Sequence, residues 1–239
     1  MKKLTLLTVL AVGFSFAQAA DIASWDIDGV DLDDGTFDTS FTLSADARDA
    51  SLSTAELSLG AGVNPSTTAG QYGFKVSSSE EQTTLAGAIA GDHYIEFFFT
   101  AATGYEVDLN SITFLGQSSS SGADNVAFMS SVDGFASGDE IDSLSGISGS
   151  GGGFDTDSSG FGTGTITLAD ARYQNLSAIT FRLYGWNTSS GSGITYLRSL
   201  TGNDVALDGT VSAVPEPATF ALMAGWLGMV SLMLQRRRD

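Results

Sequence analysis

The chain contains no cysteine, so disulfides, thiolate metal sites and thiol nucleophiles are excluded, and whatever folds must be held by its own core. Proline is almost as scarce, with three residues in 239. There is one histidine, His93, so no multi-histidine metal site can form, and a Ser-His-Asp triad would have to be built on that residue alone. No nucleophile-elbow motif accompanies it, and it reads as a strand-end histidine. Basic residues are few: ten Lys and Arg stand against twenty-eight Asp and Glu. Five of the ten, Lys2, Lys3, Arg236, Arg237 and Arg238, lie at the two ends. Between them remain Arg48, Lys75, Arg172, Arg182 and Arg198 against twenty-seven carboxylates, a net charge near −22. Nucleic-acid binding needs a basic stripe that displaces counterions, and this composition excludes one. The acidity favours solubility and divalent cations instead.

What is present begins at the termini. Lys2 and Lys3 precede an apolar stretch over 4–16, and Ala17-Gln18-Ala19 supplies the small side chains of a signal-peptidase site. This predicts a signal helix over 1–19, removed after Ala19. At the other end, Val214-Pro215-Glu216-Pro217 is followed by an uncharged apolar run over 218–234 and then by Arg236, Arg237 and Arg238. The prolines stop an incoming strand or helix. The run is just long enough to cross a bilayer core, and the arginines cannot follow it into hydrocarbon. The positive-inside tendency puts the arginines in the cytoplasm and the body across the membrane.

This order of Pro-Glu-Pro, apolar run and basic tail resembles the PEP-CTERM sorting signal of Gram-negative bacteria, which an exosortase recognises. The resemblance implies that the chain is exported, held in the inner membrane, cut near Pro215-Glu216-Pro217, and passed to the cell surface or an extracellular matrix. The organisation expected is a signal peptide over 1–19, an extracellular domain over 20–212 and a sorting segment over 213–239. Its processing partners are then signal peptidase and an exosortase, with membrane contact through the C-terminal helix.

The body reads as β throughout. The segments 94–100 (YIEFFFT), 105–115 (YEVDLNSITFL), 125–131 (NVAFMSS), 177–184 (SAITFRLY) and 204–211 (DVALDGTV) are short, rich in β-branched and aromatic residues, and mostly alternate in polarity. Weaker strands are predicted over 22–27, 41–43, 52–59, 71–76, 163–168 and 194–200. Asp28-Gly29, Asp34-Gly35, Asp133-Gly134 and Asp208-Gly209 suit turns that need positive φ. Only the two terminal segments look helical. About ten short strands without a cofactor-loop signature predict an all-β fold, an antiparallel β-sandwich or jelly roll. Ile179, Phe181 and Leu183 should point inward, with Thr180 and Arg182 outward. In the 105–115 segment the alternation slips by one near Asn110, which predicts a β-bulge. The strand near Trp25 is expected beside the one near Val205. The runs 118–122 (SSSSG) and 146–153 (GISGSGGG) read as flexible loops too polar to pack.

Three constellations invite chemistry. Asp139-Glu140-Ile141-Asp142 resembles the nucleophile strand of laminarinase-like glycoside hydrolases, with Glu140 and Asp142 on one side of a strand. The continuation Ser143-Leu144-Ser145 lacks the second carboxyl that retention requires. The acidic run containing Asp26, Asp28, Asp31 and Asp33 offers hard oxygen donors to calcium. Its twelfth position is Phe37 or Thr42, not a bidentate glutamate, so it is no EF-hand, and a solvated turn is the plainer reading. Trp25 and Trp186 are the body's tryptophans, suited to stacking on sugar rings or to packing. The body, with SSVDGF over 130–135 and ITFRLYGWN over 179–187, looks like the jelly-roll bodies common among PEP-CTERM proteins and like carbohydrate-binding modules. A non-enzymatic envelope or matrix role is therefore expected, without a cofactor. Recognition of an exopolysaccharide is the alternative, and glycoside hydrolysis is the least favoured.

Overall fold

The structure is a computed structural model that describes residues 20–32, 35, 41–76, 81–147, 153–155, 165–199 and 203–214. The signal segment, the Pro-Glu-Pro motif, the apolar run over 218–234 and the terminal arginines lie outside these residues. Among the described residues no helix is long and apolar enough to cross a membrane.

The strands, in chain order, are β1 (Ala20–Trp25), β2 (Leu43–Ser44), β3 (Ala47–Arg48), β4 (Leu52–Leu59), β5 (Asn64–Pro65), β6 (Gln71–Lys75), β7 (Tyr94–Ala101), β8 (Tyr105–Ser118), β9 (Ala123–Ser130), β10 (Asp142–Ser145), β11 (Gly153–Asp155), β12 (Ile166–Thr167), β13 (Ala178–Thr188), β14 (Ile194–Arg198) and β15 (Val205–Ala213). They form two antiparallel sheets, an all-β sandwich. The larger runs β3-β1-β15-β8-β14-β6-β5, with β11 and β12 also paired to β8, and the smaller runs β10-β9-β13-β7-β4-β2.

The core lies between the sheets because each long strand alternates. Ile95, Phe97 and Phe99 of β7 and Ile179, Phe181 and Leu183 of β13 are buried, while the residues between them are only partly so. From the facing sheet come Trp25, Ile112, Phe114 and Leu207. Phe128 meets three rings: Phe181 stacks at 5.3 Å between centroids, Phe114 lies at 5.6 Å and Phe97 at 6.0 Å. Trp25 sits opposite Val205, the terminus-to-terminus pairing predicted from the sequence. The predicted bulge is there too. Asp208 faces Ser111 and Gly209 faces Leu109, leaving Asn110 as the extra residue, and its side-chain amide donates to Asp208 Oδ1 at 3.0 Å.

Four expectations are corrected. Asp208-Gly209 is not a turn: it lies inside β15 at that bulge, where a Cβ on Gly209 would meet the Asp108 carbonyl. The short helix α1 (Leu85–Ala90) was not foreseen. Thr84 caps it by accepting the Gly87 amide at 3.2 Å, and Leu85 and Ala88 bury against Ala127, Met129 and Tyr184 on the outer face of the smaller sheet. Arg182 does point outward but is not simply solvated, since aromatic rings cover it. The SSSSG run is packed at its two ends, with Ser120 left exposed: Ser118 is fully buried and its hydroxyl donates to the Ala123 carbonyl at 2.7 Å. The Ser119 amide reaches the Ile194 carbonyl at 2.9 Å, and a Cβ on Gly193 would overlap the Ser121 carbonyl. Of the second Gly/Ser run, 148–152 lies outside the described residues.

Candidate functional site

A polar concavity sits at one end of the sandwich, between the β9–β10 connection and a 3-10 turn (Ala171–Tyr173) that precedes β13. It is a cleft of about 260 Å³ lined by Asp133, Gly138, Asp139, Glu140, Ile141 and Arg172. Local hydrogen bonds shape it. Both Glu140 oxygens accept the Gly138 amide, at 3.1 Å each, and Asp139 Oδ2 accepts the Ala136 amide at 3.0 Å. Ile141 returns the chain to the sheet by donating its amide to the Phe128 carbonyl at 2.9 Å.

Asp133 anchors the floor. Its Oδ2 accepts from the Ser130 hydroxyl at 2.6 Å and from the Tyr173 phenol at 2.5 Å, and its Oδ1 pairs with Arg172. Gly134 follows at φ 109°, a backbone region that a side chain resists. Arg172 is half exposed, so its guanidinium faces both the carboxylate and the open cleft. Three carboxylates and one guanidinium make a surface that accepts and donates hydrogen bonds.

Beside it, on the outer face of the smaller sheet, Arg182 lies between the rings of Tyr94 at 4.2 Å and Phe135 at 4.4 Å, with its Nε on Glu96 Oε2 at 2.8 Å. This cation is already enclosed, and the arrangement ties the cleft loop to the sheet through Phe135. Burial pushes the Tyr94 phenol up to about 12, opposed by Arg182 and assisted by Glu96. Burial, followed by the hydrogen bond to Asp133, pushes Tyr173 up to about 12 as well. Both values exceed the ordinary 10, so the folded chain holds these protons more tightly than the unfolded one. The stability they contribute is complete below pH 10 and drains as pH rises through 12. Burial raises Tyr184 and Tyr196 as well, so a phenolate absorbance titration should show four of the six tyrosines, Tyr94, Tyr173, Tyr184 and Tyr196, ionising late, as the chain unfolds. Uniform titration near 10 would contradict these environments.

No protein-family model matches the chain, and no curated protein or solved structure matches it either. Function is therefore argued from the geometry and from the sequence.

The residues singled out from sequence are scattered. Glu140 and Asp142 do not share a strand face, because β10 begins at Asp142 and Glu140 lies in the turn before it with its carboxylate on a backbone amide. His93 is 2% exposed at the head of β7. Trp25 is core, with its indole donating to the Leu43 carbonyl at 3.2 Å, so it offers no stacking platform. Trp186 is partly buried on the outer face of the smaller sheet beside α1. It stands five residues along β13 from Phe181, about 17 Å, and Phe181 is the residue paired with Ser130 near the cleft. Asp26 and Asp28 are exposed; Asp26 accepts the Asp28 amide at 2.9 Å, and the Asp26 amide is held by Asp46 at 2.7 Å. Asp31 is partly buried and Asp33 lies outside the described residues. Among the described residues no three acidic or histidine side chains converge on a metal position. Ala17, Ala19, Pro215, Glu216, Pro217 and the terminal arginines also lie outside them. Sequence reasoning missed Asp133, Arg172 and Tyr173. The available signal was Ser130 three residues before Asp133-Gly134, a spacing suited to a hydroxyl–carboxylate closure of the turn.

Proposed function

We propose that the chain is an exported protein of the envelope or extracellular matrix, sorted and cut by an exosortase at its C-terminal segment, and that the sandwich is non-catalytic cargo with a structural or adhesive role. The observation that carries this reading is the order Pro215-Glu216-Pro217, apolar run, Arg236-Arg237-Arg238, paired with a leader ending in Ala17-Gln18-Ala19. An acidic, cysteine-free sandwich that closes its first strand on its last suits such cargo, because it needs no cross-link to persist outside the cell. In the finer form of this reading the sandwich is a jelly roll flanked by a signal helix and a transmembrane helix. Replacing Pro215-Glu216-Pro217 by three alanines should leave leader removal intact and abolish C-terminal cutting, so that tailed protein accumulates in the inner membrane. Fractionation with mass spectrometry of both termini reads this out. Normal release of the variant would defeat the proposal.

A second reading, a module that binds exopolysaccharide without turnover, is favoured by the cleft, whose mixed carboxylate and guanidinium lining suits sugar hydroxyls. Retention on an immobilised acid-free polysaccharide should fall about tenfold with Arg172→Ala, the scale of one charge-assisted hydrogen bond. Absence of any retention across a broad polysaccharide panel would end this reading. Hydrolysis is less well supported, since Glu140 lies in the turn before β10 and shares no strand face with Asp142.

A further inference from the structure

The large hydrophobic side chains exposed among the described residues are Tyr105 at 39%, Val132 at 39% and Val214 at 42%. All three belong to the same end of the sandwich. Tyr105 opens β8 opposite Ala213, and the Val214 amide donates to the Gly104 carbonyl at 2.8 Å, so Tyr105 and Val214 flank one turn. In the smaller sheet Thr100 pairs with Ala178 and Ser130 with Phe181, which brings the start of the 131–141 loop, and Val132 with it, to that end. Leu176 stitches the sheets there by exchanging both backbone bonds with Val107, at 2.9 Å each. The opposite end, formed by the 119–122 and 189–193 turns, is Ser/Gly-rich, and among the described residues it exposes no large hydrophobic side chain.

The chain leaves the sandwich at this end. The last strand is hydrogen-bonded up to Val214, and the apolar run begins at Ala218. Four residue steps reach at most about 14 Å, and the headgroup layer occupies about 5–8 Å of that distance. We propose that the end of the sandwich carrying Tyr105, Val132 and Val214 seats on the lipid headgroups of the bilayer that 218–234 enters. This rests on reading that run as a membrane span. Tyrosine is suited to the role, with an apolar ring for the boundary and a hydroxyl for the headgroups. The occupant is a zwitterionic lipid surface, because Glu106, Asp108 and the cleft carboxylates border the patch and repel anionic headgroups. The body then stands end-on, presenting its Ser/Gly turns outward.

The absence of native cysteine makes the test clean. The full chain carrying Thr103→Cys or Ser120→Cys, each labelled with one fluorophore, is reconstituted in phosphatidylethanolamine/phosphatidylcholine vesicles containing headgroup spin-labelled lipid. Both positions are exposed, one at each end. Quenching at 103 should exceed that at 120 several-fold, and Tyr105→Ser with Val214→Ser should lower it at least twofold while the chain stays integrated, the tether from Val214 to Ala218 keeping it above the level at 120; no drop in the variant overturns the seating. Equal, weak quenching at both positions in an integrated chain overturns the seating and leaves the span intact. A label at 103 shielded from a water-soluble quencher yet untouched by the lipid probe means that a second copy covers this end, and also overturns it. Failure of the chain to integrate overturns the span and the seating together.

Discussion

Phe128→Ala is expected to lower the unfolding free energy by about 3–5 kcal/mol, the range for deleting a fully buried aromatic side chain. The size follows from its position. Phe128 projects from β9 into the layer between the sheets, is inaccessible to solvent, and touches Phe181 of its own sheet and Phe114 of the other. Truncation removes apolar burial and three ring contacts, each worth about 0.5–1.5 kcal/mol beyond area. The neighbours cannot collapse into the space, because their strands are fixed by backbone ladders on both sides. Phe128→Leu should cost less than half as much, since most of the volume is retained. Ser143→Ala, exposed on the adjacent β10, should stay within about 0.5 kcal/mol. Equilibrium urea unfolding of the chain gives all three values. A loss below about 1.5 kcal/mol for Phe128→Ala would mean that the sheets are not packed through this cluster.

How far the sequence carried this fold depends on which force decided each feature. Side-chain period is written locally, so β4 appeared with its bounds intact and the break in alternation at Asn110 located a bulge that the β8–β15 register contains. The pairing of Trp25 with Val205 was also anticipated, from the tendency of sandwiches to close terminus on terminus. Features set by distant partners were not legible. Asp208-Gly209 has the composition of a turn, yet two strands pairing across it made it a bulge. The helix at 85–90 is six residues with a glycine inside, too short to show a period, and it exists because the outer face of the smaller sheet offers Tyr184 and Met129 to cover. The polarity of the SSSSG run reads as solvation, whereas a serine hydroxyl that closes onto a neighbouring carbonyl, as Ser118 does, packs well. The cleft was the least legible feature, because Asp133 and Arg172 are 39 residues apart in sequence and only the fold makes them neighbours.

That long-range contact makes Asp133→Ala the most informative polar substitution, with an expected cost of about 3 kcal/mol from two part-buried hydrogen bonds to a charged acceptor at roughly 1.5–3 kcal/mol each, counted as less than additive. Tyr173 is 1% exposed and Ser130 is fully buried, so removing the carboxylate leaves both hydroxyls enclosed without the acceptor they share. The Arg172 pair adds less than about 1 kcal/mol, because half of that guanidinium is in solvent. Asp133→Asn keeps an oxygen for Tyr173 and should cost about 1–2 kcal/mol, while Arg172→Ala should be nearly neutral. Spectroscopy separates a lost hydrogen bond from general loosening. With Asp133 gone, the Tyr173 phenol loses the second-largest cause of its upward shift and should ionise below about 12 while remaining above the ordinary 10, because burial persists. If Asp133→Ala is as mild as Arg172→Ala and the phenol does not move, backbone bonds alone hold the 131–141 loop. If it behaves as expected, one carboxylate sets both the loop's stability and the geometry of the cleft, and on the polysaccharide-binding reading retention should fall in the same variant.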